Sequence, residues 1–85
     1  MGITREDLQV LAPYTGAFSI APSDANDLPH KTRGIYVGGT GNLSVRMANG
    51  NEVTFIGLAA GEIHRLQVTR VLSSGTGATS IVGLY

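Results

Sequence analysis

The stretch that decides the fold class is residues 43–55, LSVRMANGNEVTF. Apolar and polar residues alternate from Leu43 to Met47 and again over Val53-Thr54-Phe55, which is the period of a half-buried β-strand. The dipeptide Asn49-Gly50 lies between the two runs and is a strong turn signal. The stretch therefore predicts an antiparallel β-hairpin.

The face on which each side chain lies decides the length of the hairpin loop. A two-residue turn would pair Val45 with Thr54 and set apolar against polar residues, which a sheet with one buried face does not tolerate. A three-residue loop over residues 48–50 pairs Val45 with Val53 instead. It also places Gly50 at the left-handed position of the accompanying bulge. The pattern favours the three-residue loop.

The rest of the body has the same character, because short runs rich in Val, Ile, Leu, Thr and Tyr are separated by glycines. The runs are residues 33–38, 42–48, 51–57, 62–73 and 78–85. Spacing of about 8–12 residues is typical of a small sandwich or barrel. We therefore expect an all-β fold, a small antiparallel β-sandwich or barrel of about five strands with an extended N-terminal arm.

The long run 62–73 changes phase. Leu66 and Val68 fall on one face of an extended chain, whereas Ile63 and Val71 fall on the other. This pattern predicts either burial on both faces or a bulge within the run. Burial on both faces is natural if one face meets a second subunit or a capsid.

Three segments are predicted along the chain. Residues 1–21 form an arm with a short helical turn over 3–11, which Pro13 ends. Residues 22–31 contain two prolines and three Asp or Asn residues, and they form a loop or linker. Residues 32–85 form the β body.

Composition limits what the protein does. A chain of 85 residues without cysteine has a small core and no disulfide to supplement it, so association with other subunits is expected. Charged residues make up 14% and the net charge is zero, which argues against nucleic-acid binding. So few charges suit either a surface lying against other protein or a mildly polar free surface. No apolar run is long enough for a membrane span, and the N-terminus lacks the features of a signal peptide.

The residues that might carry chemistry do not form a recognisable catalytic, metal or cofactor site. The glycine-rich stretch 36–42 precedes a predicted strand, whereas a phosphate-binding loop precedes a helix. His30 is expected to be solvated in the loop, and His64 to lie on a surface or an interface. We expect no enzyme activity, no metal and no cofactor.

Acidic residues suggest two further sites, and both are rejected. Glu52 and Glu62 lie near strand ends but have no polar cluster around them that would support glycosidase chemistry. Asp24, Asn26 and Asp27 do not have the spacing of a calcium loop. Asx turns and caps are the expected roles of these three residues.

Several turn and strand motifs of the body resemble those of a known family. They are Pro22-Ser23-Asp24, Asp27-Leu28-Pro29, residues 32–39 (TRGIYVGG), Val53-Thr54-Phe55, Ala60-Gly61, residues 68–72 (VTRVL), residues 75–79 (GTGAT) and residues 81–85 (IVGLY). This set is similar to the head spike-base proteins encoded among phage and gene-transfer-agent structural genes. Members often carry a proline after the Ala-Gly turn, where this chain has Glu62-Ile63-His64-Arg65. The N-terminal arm has no matching counterpart.

The resemblance implies a virion structural protein, made in the bacterial host cytoplasm, that binds a capsid as a decoration, cement or spike-base protein. It implies a homo-oligomer, a trimer or a pentamer, whose partners are the major capsid protein or a spike or fibre protein. No nucleic acid and no membrane are expected as partners. The alternatives are a neck or tail component, or a small carbohydrate-binding β module. Residues 1–21 are expected to contact another subunit or the capsid.

The hairpin assignment predicts the effect of Gly50→Val. A β-branched residue at a positive φ angle is strained, so the substitution is expected to lower the free energy of unfolding by more than about 1 kcal/mol. Thermal or urea denaturation measures this loss. An unchanged melting midpoint would contradict the three-residue loop.

Overall fold

A computed structural model of the protein describes residues 13–85, which form two packed antiparallel sheets. The strands are β1 (Ala17–Ser19), β2 (Gly34–Gly39), β3 (Gly41–Met47), β4 (Glu52–Leu58), β5 (Glu62–His64), β6 (Val68–Val71) and β7 (Thr79–Leu84). A four-stranded sheet has the order β1-β7-β2-β5, and a three-stranded sheet has the order β4-β3-β6. The predicted all-β fold is confirmed as a sandwich.

The described residues contain seven strands, where about five were expected. One of the additional strands is β1, which lies within the predicted arm and pairs with β7 through Phe18 and Gly83. The other arises because the run 62–73 is divided into β5 and β6.

The core lies between the two sheets and follows the two-residue period of the strands. Its fully buried members include Ile35 and Val37 from β2, and Leu43 and Val45 from β3. The buried apolar residues within the described range 13–85 are Ile20, Ile35, Val37, Leu43, Val45, Val68, Val71, Ala78 and Ile81. Both sheets therefore depend on a core made almost entirely of aliphatic side chains.

The β3–β4 hairpin has the predicted three-residue loop. Val45 lies opposite Val53 and Leu43 lies opposite Phe55. Gly50 has a φ angle of 95° and its N–H donates a hydrogen bond to the Met47 carbonyl oxygen at 2.9 Å. The register and the glycine position are thus both confirmed.

The run 62–73 contains the expected bulge and also a passage between the two sheets. Met47 pairs with Val68 whereas Arg46 pairs with Arg70, so Thr69 is the extra residue of a bulge in β6. β5 pairs with β2 in the four-stranded sheet, and β6 pairs with β3 in the other. Residues 65–67 connect them. Because β5 and β6 belong to opposite layers, their inward faces have no common period.

Thr32 fastens this passage. Its side chain is fully buried, and its hydroxyl donates to the Leu66 carbonyl oxygen at 2.8 Å. The same hydroxyl accepts a hydrogen bond from the Val68 N–H at 3.1 Å, and the Thr32 N–H donates to the Val68 carbonyl oxygen at 3.2 Å. The start of β2 is thereby tied to the start of β6 across the two layers.

The final strand is not an edge of its sheet. β7 lies between β1 and β2, with Leu84 opposite Ala17 on one side and Gly34 on the other. Tyr85 also exchanges backbone hydrogen bonds with Gly16. The chain covers this strand with its own residues.

The predicted division into an arm (1–21), a loop (22–31) and a body (32–85) stays a prediction. The possible helical turn at 3–11 lies outside the described residues. Residues 22–31 contain no strand, and they are bonded to β6 through Ser23 and Leu28, whose N–H groups donate to the carbonyl oxygens of Val71 and Thr69.

The role of Thr32 predicts the result of replacing it with valine, which has nearly the same shape but no hydroxyl. Thr32→Val leaves the Leu66 carbonyl and the Val68 N–H without their bonds, so we expect a loss of about 1–3 kcal/mol in the free energy of unfolding. Urea denaturation measures the loss. Thr32→Ser keeps the hydroxyl and serves as the control, with the smaller expected effect. A valine variant as stable as the wild type would show that these bonds do not hold the sheets together.

Candidate assembly surface

An apolar row crosses the outer face of the four-stranded sheet. Ile35 and Val37 point into the core, so Tyr36 between them points outward. Tyr36 lies opposite Ile63 of β5 on one side and Val82 of β7 on the other. Tyr36 is 37% exposed and Ile63 50%, while Val82 is half-buried. We call these three residues the outer strip.

Tyr14 lies at one end of the outer strip. A Cβ atom built on Gly34 would come within 2.7 Å of the Tyr14 hydroxyl oxygen and 3.1 Å of Ile63 Cγ2. Tyr14 therefore occupies the space that a larger residue at position 34 would fill. The guanidinium carbon of Arg33 is 5.2 Å from the centre of the Tyr14 ring, within the range of a cation–π contact. Arg33 also donates to the Pro13 carbonyl oxygen, which fixes this segment beside the strip.

Large apolar residues are exposed on both sheets. In the part of the chain that the structure describes, they are Tyr36, Val53, Ile56 and Ile63. Two belong to the outer strip, and the other two lie on β4, where Ile56 is 75% exposed. The apolar exposure is thus concentrated in two places.

His30 makes a specific aromatic contact that its position in a polar loop did not indicate. Its ring stacks on Tyr85 with centroids 3.9 Å apart and planes inclined by 15°. Phe18 lies 5.8 Å from His30 and 5.9 Å from Tyr85. His30 remains exposed, as expected for the loop, but one face of its ring is covered.

The acidic residues of the loop form a tie to the segment after β6. Asp24 accepts hydrogen bonds from the Ser74 N–H at 3.0 Å and from the Ser74 hydroxyl at 2.6 Å. These bonds stabilise the ionised form, so the pKa of Asp24 is lowered below 3.8. Arg70 donates to Asp27 at 2.9 Å and to the Asp24 carbonyl oxygen at 3.1 Å. The carboxylates thus hold the loop in place, a longer-range role than the Asx turns expected.

The other candidates from the sequence are separated by the fold. Glu52 lies on β4 and accepts two hydrogen bonds from Arg46 at 3.1 and 2.7 Å, whereas Glu62 lies on β5 in the other sheet. A ring nitrogen of His64 lies 3.2 Å from the Ala59 carbonyl oxygen. These residues are not brought together into a site.

The glycine-rich stretch 36–42 forms a corner between the two sheets. β2 ends at Gly39 and β3 begins at Gly41, so Thr40 alone connects them. A Cβ atom at Gly41 would lie 2.5 Å from the Ala78 backbone nitrogen. The close approach of two backbones therefore requires glycine here, and the next element is a strand as predicted.

Residues 13–85 contain neither a cluster of potential metal ligands nor a membrane-spanning helix. No group of three or more His, Cys, Asp or Glu residues is placed there to hold a metal ion. No helix among these residues is long and apolar enough to cross a membrane.

Comparison with known proteins reveals a similarity to a solved structure. No family model matches the sequence, and no curated protein matches it. Among solved structures, the chain is similar to one in a structure described as "Capsid of native GTA particle computed with C5 symmetry". The TM-score is 0.79 with 36% sequence identity, and the match covers 89% of this chain and 88% of that chain. Similarity of this size extends through almost the whole of both chains.

Sequence reasoning missed the outer strip. Its members lie on three strands that are distant in the sequence, and Tyr36 stood in the predicted β run 33–38, whose neighbouring strands the sequence did not indicate. The alternation of Ile35, Tyr36 and Val37 was a local signal that Tyr36 faces outward. The pairing of Tyr36 with Ile63 and Val82 had no such signal.

The Asp24–Ser74 tie predicts a specific acid dependence. The pKa of Asp24 is lower in the folded chain than in the unfolded chain, so its stabilising effect is present above pH 3.8 and is lost as the pH falls through the lowered value. Asp24→Asn removes the ionisation, so the stability difference between wild type and variant is expected to shrink over that range. Urea unfolding from neutral pH to below 3.8 measures this difference. Glu62→Gln is the control, and the same narrowing in both variants would contradict a special role for Asp24.

Proposed function

The chain belongs to the virion structural protein family represented by the gene-transfer-agent capsid chain, and from this premise we propose that it binds a capsid as a homo-oligomer. Its role would be that of a decoration or cement protein or of the base of a head spike. A trimer or a pentamer is the proposed assembly. Its partners are the major capsid protein or a spike or fibre protein, and its location is the virion.

The observation that carries this proposal is the similarity to the capsid-associated chain. The match has 36% identity over 89% of this chain and a TM-score of 0.79, so it concerns both the sequence and the fold. A fold alone does not specify a function. Here the sequence identity of 36% shows a family relationship in addition to the shared fold, and we base the proposed role in a particle on that relationship.

The outer strip supports a protein partner. Tyr36 and Ile63 are large, apolar and partly exposed on strands whose backbones are paired, so they form a firm surface. Exposed apolar residues that lie together are a common mark of protein–protein contact. We propose that this face contacts the capsid or the spike component.

The N-terminal arm is proposed to make a second contact, with a neighbouring subunit or the capsid. Deleting all of residues 1–21 would remove β1 together with Phe18 and Ile20, which pack on the core. Deleting residues 1–12 alone leaves these residues in place. The shorter deletion therefore separates a role in assembly from a role in folding.

Electron microscopy of purified particles is the experiment that tests the function, because it gives location, symmetry and contacts together. Copies of the chain on the capsid surface or at a vertex are the expected result. A purified chain that is monomeric at micromolar concentration and absent from particles would overturn the proposal. Copies found only at the neck or tail would replace the capsid role with the alternative virion role.

Substitution in the outer strip predicts a change in particle binding. Ile63→Asp places a charge on the apolar row, so we expect occupancy on particles to fall severalfold while the chain still folds. Quantitative gel analysis of particles gives the occupancy, and circular dichroism checks the fold. Gln67→Asp adds the same charge at an exposed site outside the strip and is the control. Equal occupancy of the two variants would place the contact on another surface.

A further inference from the structure

Each sheet has two edge strands, and the four edges differ in how they are protected from pairing with another chain. β6 is covered by the chain itself, since the N–H groups of Ser23, Leu28 and Thr32 donate to carbonyl oxygens along it at 2.8–3.2 Å. β5 is only three residues long and carries Glu62 and His64. Shortness, charge and a covering loop are the usual protections against pairing with another chain. These two edges are protected.

β4 is the longest of the edge strands and is not covered by the described residues. It is seven residues long, its one charged residue is Glu52 at its first position, where Arg46 binds it, and no charged residue occurs from position 53 to position 61. The Met47 N–H donates to the Asn51 carbonyl oxygen, so the alternation of an antiparallel ladder makes Val53 bond to β3 and turns the backbone of Thr54 outward. A register shift places a bulge after Phe55, next to Ile56. The large exposed side chain of Ile56 lies on this edge. β4 therefore offers both backbone groups and apolar surface.

β1 is the second edge that nothing within residues 13–85 covers. Gly16 and Ile20 bond to β7, so Ala17 and Ser19 turn their backbone groups away from the sheet, and both residues are exposed. No charged residue occurs from position 13 to position 23. β1 is short, but backbone bonds to the last strand extend its line from Gly16 to Ile20.

These two edges lie on opposite sides of the sandwich. Beyond β1 the chain continues along β6, to which residues 22–31 are bonded. Beyond β4 it continues to β5, and the Ala60 N–H donates to the Thr40 hydroxyl at 3.1 Å on the way. β1 and β6 thus share one side, and β4 and β5 share the other.

We propose that β4 of one copy pairs with β1 of the next copy, which joins the three-stranded sheet of one subunit to the four-stranded sheet of its neighbour. Pairing of this kind adds a strand to an exposed edge through main-chain hydrogen bonds. Because the two edges differ and lie on opposite sides, the contact is head-to-tail and repeats until a ring closes. This inference rests on the proposed homo-oligomer and names the surface that forms it.

A second copy is favoured over a foreign strand as the occupant because one chain carries both halves of the contact. Residues 53–58 of β4 and residues 16–20 contain no charge, so these stretches do not repel each other, and the line from Gly16 to Ile20 is long enough to pair with β4 on both sides of Thr54. A twofold contact of β4 with itself would leave β1 uncovered. Head-to-tail pairing covers both edges at once.

Cysteine cross-linking tests the contact directly, because the natural chain has no cysteine. Double variants combine Ala17→Cys or Ser19→Cys with Thr54→Cys or Ile56→Cys, and they are treated with a short bis-thiol cross-linker. At least one double variant is expected to give a ladder of covalent oligomers that ends at the ring size. Each single variant is expected to give no ladder. Dimers from Ile56→Cys alone would show a twofold contact and overturn the proposal.

A charge on the edge provides an independent test. Ile56→Lys places a lysine on an exposed position of β4 and is expected to weaken self-association at least tenfold in sedimentation. Ala48→Lys adds the same charge at the exposed hairpin loop and is expected to leave association unchanged. Equal association of the two variants would overturn the proposal.

The tests separate this inference from the function on which it rests. If the wild-type chain oligomerises and is found on particles but no double variant cross-links, the edge contact is wrong and the virion role stands. If the wild-type chain is monomeric and absent from particles, the proposed function is wrong. Cross-linking with association lost in Ile56→Lys supports the contact itself.

Discussion

The rest of the sandwich depends on the hydrogen bonds that the buried Thr32 hydroxyl makes. Thr32 precedes β2 in the four-stranded sheet, yet its hydroxyl serves two backbone groups at the passage into β6 of the other sheet. A buried carbonyl or N–H without a partner costs free energy, so this passage needs a polar side chain inside an otherwise aliphatic core. With the passage fixed, β5 pairs with β2 while β6 pairs with β3.

The same chemical solution recurs wherever the chain changes sheet. In the connection between β4 and β5, the Ala60 N–H donates to the Thr40 hydroxyl. In the connection between β6 and β7, the Thr76 hydroxyl accepts a hydrogen bond from the N–H of Ser44 in β3. Thr40 is itself the single residue between β2 and β3. A chain this small has little apolar surface to bury. Threonine hydroxyls therefore fasten the corners, in a domain without cysteine.

The sequence predicted those features that depend on neighbours in the chain. The β3–β4 hairpin was predictable to the residue, because alternation sets the faces and Gly50 sets the loop. Periodicity reports which face a residue occupies but not which sheet it joins, so the run 62–73 was not divided. β1 was missed for a related reason. It has three residues, and its pairing of Phe18 with Gly83 joins parts of the chain that no local pattern connects.

The candidate surface was less predictable than the fold for the same physical reason. The outer strip exists only after β5, β2 and β7 have paired. The sequence of a short apolar run does not show which residues will lie opposite it on neighbouring strands. The low charge of the sequence was compatible with a surface against other protein and with a mildly polar free surface, and it did not indicate where either would lie. The family resemblance indicated a particle without indicating which residues contact it.

The arrangement of these surfaces explains how a small module suits a particle. The outer strip lies on a sheet face, whereas β1 and β4 are edges, so contact with a capsid need not compete with contact between copies. An unprotected edge is a hazard for a free protein, because it pairs with any exposed strand. In the proposed ring, neighbouring copies would be held at fixed spacing and would cover each other's edges. The features that make the free chain prone to association are the ones that such a ring would use.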